Sequence, residues 1–472
     1  MHEHLAVCCK DMQEAMQGKA YRCPHSLPLY ERKWLHIVLF VDATGLLITH
    51  SKSASLLHII TLIMGSPFRR LTWRSPRLSC FLCCRIILIT ILICFLQQQH
   101  LFYSYRHALS AKYSPTYFSN NSEHFLSQPG HLNDNKKRLQ DVFLARRQDW
   151  KVLGSGWEGT IYTYRDSVIK TFKTGQSPLR NCIHSQTAIR WPTEIPASLH
   201  FGALHEVHRP VNETPKNTSA APPGFLPIRA YFQATSPTTS LLEWHLVTPL
   251  VPGGSLKSLA KRIHYSPTPP SFRDLDTKYR PSFHRLLETL DIMHRDGYCH
   301  DDVKPANIFV RGDTDWVLGD LGNVRHVAHP YHASRIWREN HQLADCRPND
   351  VVRALKTYLY FLRKAARDRD TFDAGFFERR EPLSILYWSV MIDPENVDAR
   401  WLRSLSFSTS PLPTQNSNAH PTAYLDRPLP MYTFRSTLRR RAVKETLRTS
   451  MSDTPAIFWS ISWLLGPPES PC

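Results

Sequence analysis

Cysteine is scarce where a disulfide-built fold would need it. Of eleven cysteines in 472 residues, seven precede residue 100, and only Cys182, Cys299 and Cys346 fall in the patterned middle of the chain. So odd and scattered a set excludes a disulfide scaffold and points to a reducing, cytoplasmic setting. Cys80-Phe-Leu-Cys83 has the spacing of a zinc ligand pair, but no second pair accompanies it, and it sits in an apolar run. Acidic residues are also short, 40 against 58 Lys and Arg, for a net charge of +18. The basic excess is dispersed in short clusters such as Arg69-Arg70, Lys136-Lys137-Arg138 and Arg439-Arg440-Arg441, with no aromatic residues interleaved to stack bases. A solvated basic surface with no specific nucleic-acid partner is expected. The start of the chain, interrupted by His2, Glu3 and Asp11, lacks the pattern of a secretory leader. Long apolar runs are few: residues 34–48 and 56–64 are too short to span a bilayer. Residues 81–96, apolar apart from Arg85, sit at the short end of the ~17 to 25 residues required.

What is present is chemistry in the second half. His300-Asp-Asp-Val-Lys-Pro-Ala-Asn307 is followed by Ile308-Phe309-Val310, a turn at Arg311-Gly312-Asp313, Trp316-Val317-Leu318, and then Gly319-Asp320-Leu321-Gly322. Two short apolar runs around a polar turn predict a hairpin, which would bring Asn307 and Asp320 to one end. In such a set Asp302 can accept a hydroxyl proton and Lys304 can hold a phosphate. Asn307 and Asp320 supply the oxygen ligands that magnesium prefers. Upstream, Val152-Leu-Gly154-Ser-Gly156-Trp-Glu-Gly159-Thr-Ile reads as strand, glycine turn, strand. Ser167-Val-Ile-Lys170 is a third strand. Glycines at these positions allow backbone N–H groups to approach phosphate. Strand-turn-strand, rather than strand-turn-helix, argues against a dinucleotide-binding unit.

The glycine loop, the strand lysine and the two motifs around Asp302 and Asp320, in this order, resemble the eukaryotic-type protein kinases, in a divergent, fungal-like form. The resemblance implies an α+β, bilobal fold over residues 150–402. A small β-rich lobe (150–250) would precede a mainly helical one (251–402). Residues 1–113 and a Pro/Ser-rich and basic tail at 403–472 would be poorly ordered extensions, and 114–149 a linker or leading helix. It further implies ATP and Mg2+ as cofactors, a protein substrate, and transfer of the γ-phosphate to Ser or Thr. Asp302 and Lys304 are then catalytic and Asn307 and Asp320 metal-binding. Gly154, Gly156, Gly159 and Lys170 contact the nucleotide, with Glu194 as partner of the lysine. Thr248, Pro249 and Val251 border the adenine, by alignment on Gly253-Gly254-Ser255-Leu256.

Several features cut against a simple member of that family. Pro196 would interrupt a helix around Glu194 unless the helix begins there. The Ala-Pro-Glu expected after the magnesium motif is replaced by Trp337-Arg-Glu339, and the residue before the base is Asp301, where an arginine is common. Two alternatives therefore stand beside a Ser/Thr kinase: a pseudokinase acting as a nucleotide-binding or scaffold module, and a small-molecule phosphotransferase of related fold. Arg69, Arg70, Arg74 and Arg77 precede the 81–96 run. The positive-inside rule would then place the later residues away from cytosolic ATP, so a cytoplasmic location is favoured over membrane association. Other expectations are strands at 225–233 and 241–248, a helix at 281–294, a helix capped by Asp350, and an Asp301 that either faces solvent or takes a signalling role.

Overall fold

In the computed structural model, residues 76–118, 134–156, 159–173, 181–183, 186–202, 224–237, 240–379, 381–408 and 430–460 are described. The apolar runs at 34–48 and 56–64, the loop at 205–223 and the Pro/Ser-rich 411–429 lie outside these residues. The chain divides into two units, Met1–Ile87 and Leu88–Cys472, and the candidate site lies wholly in the second.

The elements are α1 (Pro76–Lys112), α2 (Asp134–Ala145), β1 (Lys151–Ser155), β2 (Gly159–Tyr164), β3 (Ser167–Phe172), β4 (Asn181–Ile183), β5 (Gln186–Trp191) and α3 (Glu194–Gly202). They continue with β6 (Ala230–Thr235), β7 (Leu242–Pro249), α4 (Leu256–His264), α5 (Phe272–Arg295), β8 (Tyr298–Cys299), β9 (Ile308–Val310), β10 (Trp316–Leu318) and β11 (Arg325–His326). Seven helices complete the described chain: α6 (Arg335–Glu339), α7 (Cys346–Ala365), α8 (Arg369–Glu378), α9 (Pro382–Ile392), α10 (Ala399–Ser408), α11 (Pro430–Thr446) and α12 (Thr454–Ser460). A five-stranded antiparallel sheet in the order β1-β2-β3-β7-β6 stands before a mainly helical remainder. This is an α+β arrangement compatible with two lobes.

Alternation along β3 explains how the sheet serves two faces. Ile169 is buried with Phe143 of α2, Trp150, Phe232 and Val247. Phe172 lies with Trp191, Ile195 of α3, Trp244 and Leu246. Lys170 shares the face of Phe172, so the packing of Ile195 under that face sets the start of α3 beside the lysine. Pro196 falls in the first turn of α3, where a missing N–H costs no helical hydrogen bond.

The helical remainder is organised by α5 and α7. Phe283 stacks on Tyr358 with ring centroids 4.4 Å apart, and Leu286, Leu287, Leu290 and Met293 are buried in the same core as Val351, Leu355, Leu359 and Leu362. Burial of each large apolar side chain in this seam contributes ~1.5–3 kcal/mol.

Several boundaries differ from expectation. The 225–233 strand starts only at Ala230; Phe225 makes an isolated parallel bridge to Leu318, and Pro227 between them has no N–H to donate. Helix α5 begins at Phe272, nine residues before Pro281, because Ser271 and Asp274 form a capping box. Pro281 is thus inside it. Helix α7 is capped by Asp345, which leaves Asp350 on its second turn and free for another task. Asp301 does not face solvent: it is 1% exposed. Cys299 and Cys346 are joined in a disulfide. Strand β8 meets the first residue of α7 there, a pairing that the scatter of cysteines hides.

The appendages also pack. Tyr105 and Leu109 of α1 are buried with Tyr331, Ile336, Trp337 and Ala456 of α12 in one cluster, and Tyr105 donates its hydroxyl hydrogen to Glu339 at 2.8 Å. Residues on both sides of the central body are therefore part of it. Among the described residues one helical stretch, Arg85–Lys112, is long and apolar enough to cross a membrane. Its first apolar residues, such as Ile87 and Leu92, are exposed.

Candidate functional site

The hairpin forms as its sequence predicts, with Ile308 paired to Leu318 and Val310 to Trp316. Asn307 and Gly319 consequently sit side by side, and the Gly319 N–H donates to the Asn307 carbonyl at 2.9 Å. The next residue, Asp320, has left-handed backbone (φ 56°, ψ 60°), a conformation that costs a non-glycine residue roughly 1 kcal/mol or more. It turns the carboxylate toward the sheet. There Lys170 Nζ lies 2.5 Å from Glu194 Oε2 and 3.0 Å from Asp320 Oδ1. Strand β3, the first residue of α3 and the second residue after β10 thus meet at one ammonium group. Burial opposes the charge on Lys170, but the Asp320 and Glu194 carboxylates outweigh it and hold its pKa above that of an ordinary lysine. Lys170 in turn holds Asp320 below the usual carboxylate range. Both groups stay ionised at neutral pH. Gly322 belongs to the same corner, since a Cβ there would lie 3.7 Å from Glu194 Oε2.

Around Asp302 the donors converge on a single oxygen. Oδ2 accepts from Lys304 Nζ at 2.6 Å, from Asn307 Nδ2 at 3.1 Å and from Asn323 Nδ2 at 3.4 Å. Asn307 spends its side-chain amide hydrogens on Asp302, which leaves its side-chain oxygen, Oδ1, for another partner. That oxygen and the Asp320 carboxylate are hard donors on neighbouring chain segments, a set that fits a divalent cation such as magnesium. Asn323 was not singled out from sequence; its position three residues after Asp320 was the available signal.

Buried contacts hold the loop from beneath. Asp350 accepts the backbone N–H of His300 at 2.6 Å and of Asp301 at 3.0 Å, while His300 Nε2 pairs with the Gly319 carbonyl at 3.1 Å. An aspartate moved one turn into α7 by the Asp345 cap thereby fixes the backbone on which Asp302 sits.

The three glycines differ in role. Around Gly154 and Gly156 a Cβ would meet nothing within 4 Å, whereas at Gly159 it would lie 1.9 Å from the Thr171 carbonyl oxygen. Gly159 is required by the close approach of β2 to β3. The Gly156 N–H closes the turn on the Gly159 carbonyl at 2.8 Å. Thr248 and Pro249 end β7, with Thr248 opposite Val168 and Leu246 opposite Lys170 in register. Alternation therefore puts Thr248 on the face of Lys170. Val251 is buried in the following turn. No hydrogen bond joins these three side chains to the Lys170 cluster among the described residues. Gly253, whose Cβ would lie 2.1 Å from the Val310 carbonyl oxygen, lets this turn pack on the hairpin.

No family model matches the chain. Part of it is similar to known kinases. It is 32% identical over 96 residues to a probable serine/threonine-protein kinase of Dictyostelium discoideum, a stretch covering 20% of this chain and 6% of that protein. It is 41% identical over 83 residues to the serine/threonine-protein kinase PknL of Mycobacterium tuberculosis, 18% of this chain and 19% of the relative. The chain thus spans less than a fifth of the length of these relatives, and the matches support a kinase-like relationship over part of the sequence.

Proposed function

We propose that the protein transfers the γ-phosphate of ATP, with Mg2+, to Ser or Thr hydroxyls of a protein substrate, on a divergent protein-kinase-like fold. The observation that carries this reading is the meeting of Lys170, Glu194 and Asp320 from three separate elements, next to Asp302 with Lys304 and Asn307. Each group has a task in such a reaction. Lys170 holds the α- and β-phosphate oxygens, oriented by Glu194. Asp320 and the Asn307 side-chain oxygen would hold the metal, which when bound would neutralise charge on the phosphates. Asp302 orients the incoming hydroxyl and takes its proton; Lys304, already on the Asp302 carboxylate, neutralises charge developing beside it. Gly154 and Gly156 leave room for phosphate over the loop, and the end of β7 from Thr248 through Pro249 to Val251 borders the base.

The protein class of the acceptor rests on Lys304, two residues after the base, and on the partial kinase matches. Labelled γ-phosphate transfer to a general protein substrate tests the reading. The intact chain transfers label, while Asp302→Asn and Lys170→Met each lower the rate by about 100-fold or more. Undiminished transfer by Asp302→Asn would remove the base from its role, and no transfer by the wild-type chain would favour a binding module.

A further inference from the structure

The residue before the base is a buried carboxylate. Asp301 has a positive φ of 60°, and its Oδ2 accepts from Arg325 Nη1 at 3.0 Å and from His332 Nε2 at 2.9 Å. Arg325 and His332 both belong to the segment that follows Gly322. Arg325 is 2% exposed, lies 4.5 Å over the Tyr331 ring, and also donates to the carbonyls of Asn323 at 2.9 Å and Lys112 at 3.3 Å. Burial works against the charge of Asp301, and His332, Arg325 and Arg353 together hold its pKa below the ordinary value. Arg325 and His332 of the segment are therefore already engaged by an internal carboxylate. A phosphoryl group added to the segment would find neither of them free, and would be repelled by Asp301.

We propose that Asp301 and Arg325 are positioning residues: their buried pair, closed by His332, locks the segment from 325 to 333 against the loop bearing Asp302 without any phosphate on that segment. This rests on the phosphotransfer reading of Asp302, and it deepens that reading by specifying how the site is regulated. The lock works by geometry. The Asp301 backbone is fixed to Asp350 and its side chain to the segment, while Asn323 at the segment's start reaches Asp302 itself. Its outer side is completed by the end of α1 and the residues just after it, where the Lys112 and Ser114 carbonyls accept from Arg325 and His329. A fragment beginning at residue 120 would lack that side.

The test uses the intact chain, with hydrogen–deuterium exchange over 325–333 and over β1–β3 read alongside ATP affinity and transfer kinetics. Asp301→Asn should raise exchange in the segment at least tenfold and lower kcat at least tenfold, while exchange in β1–β3 and affinity for ATP stay within twofold. Arg325→Met should repeat this pattern, and Arg325→Lys should recover part of it. Phosphatase treatment of the wild-type chain should change neither exchange nor rate. Unchanged segment exchange in both Asp301→Asn and Arg325→Met would overturn the lock, as would a large gain in wild-type segment exchange after dephosphorylation. If the wild-type chain transfers no phosphate, the phosphotransfer reading fails, and the exchange measurements still decide whether the lock exists.

Discussion

The two sides of the candidate site are held in opposite ways. On the side of Asp302, buried charges and backbone donors interlock through Asp350, Asp301, Arg325 and His300. On the side of the glycine turn, β1 is an edge strand with Val152 and Leu153 largely exposed and empty space around Gly154 and Gly156. The groups proposed to react stand on a backbone held by buried partners, and Gly154 and Gly156 leave open space on the side proposed to take the phosphates. Preorganisation at the base costs nothing during reaction, whereas a rigid cover would impede entry and release.

The comparison can be broken at its rigid end. Asp350→Ala would leave two backbone N–H groups and Arg353 without their buried acceptor. The expected loss is about 3 kcal/mol or more, read as the fall in ΔG of unfolding in urea. A loss below about 1 kcal/mol would mean that the loop is held by something else. A smaller effect separates the glycines. Gly159→Ala should destabilise by about 1–3 kcal/mol as β2 is pushed off β3, while Gly154→Ala should stay within about 0.5 kcal/mol. Equal effects in the same denaturation experiment would contradict the distinction.

Acid should loosen both sides. Burial, then the nearby Arg147, depresses the His245 pKa in the sheet to about 4. Burial, then Arg325, depresses that of His329 in the segment to about 3. Below the unfolded value of about 6.5 the unfolded chain takes up protons that these folded groups refuse. Their stabilisation is therefore complete above about pH 6.5 and is lost as pH falls toward those values, at up to ~1.4 kcal/mol per pH unit for each. Melting temperature should drop between pH 7 and pH 5. In His329→Gln, which can still donate to the Ser114 carbonyl, the drop should be shallower. An identical slope would show that His329 is not held neutral in the fold.

Local pattern made the hairpin from Ile308 to Leu318, the three strands around the glycine turn and the apolar stripe of α5 readable in sequence, because each rests on spacing within a few residues. Helix starts were misplaced where caps compete: Ser271-x-x-Asp274 won over Pro281, and Asp345 won over Asp350. The salt-bridge cluster at Lys170 was legible as a set of residue types, since glycine turn, strand lysine and carboxylates follow in order. The lock around Asp301 was not, because Arg325 and His332 lie 24 and 31 residues away and nothing local marks them as its partners. The same holds for Cys299 with Cys346, 47 residues apart, and for Tyr105 with Glu339, 234 apart. Burial and pairing across such separations come from packing of whole elements.

The Lys170–Glu194–Asp320 corner and the Asp302–Lys304–Asn307 group are proposed to form one metal-nucleotide site. Calorimetric titration of the intact chain with ATP, with and without Mg2+, tests it most directly. Mg2+ should tighten ATP binding at least tenfold in the wild-type chain, and this gain should vanish in Asp320→Asn while metal-free binding persists. ATP binding that is absent, or equally strong with and without Mg2+, would contradict the claim.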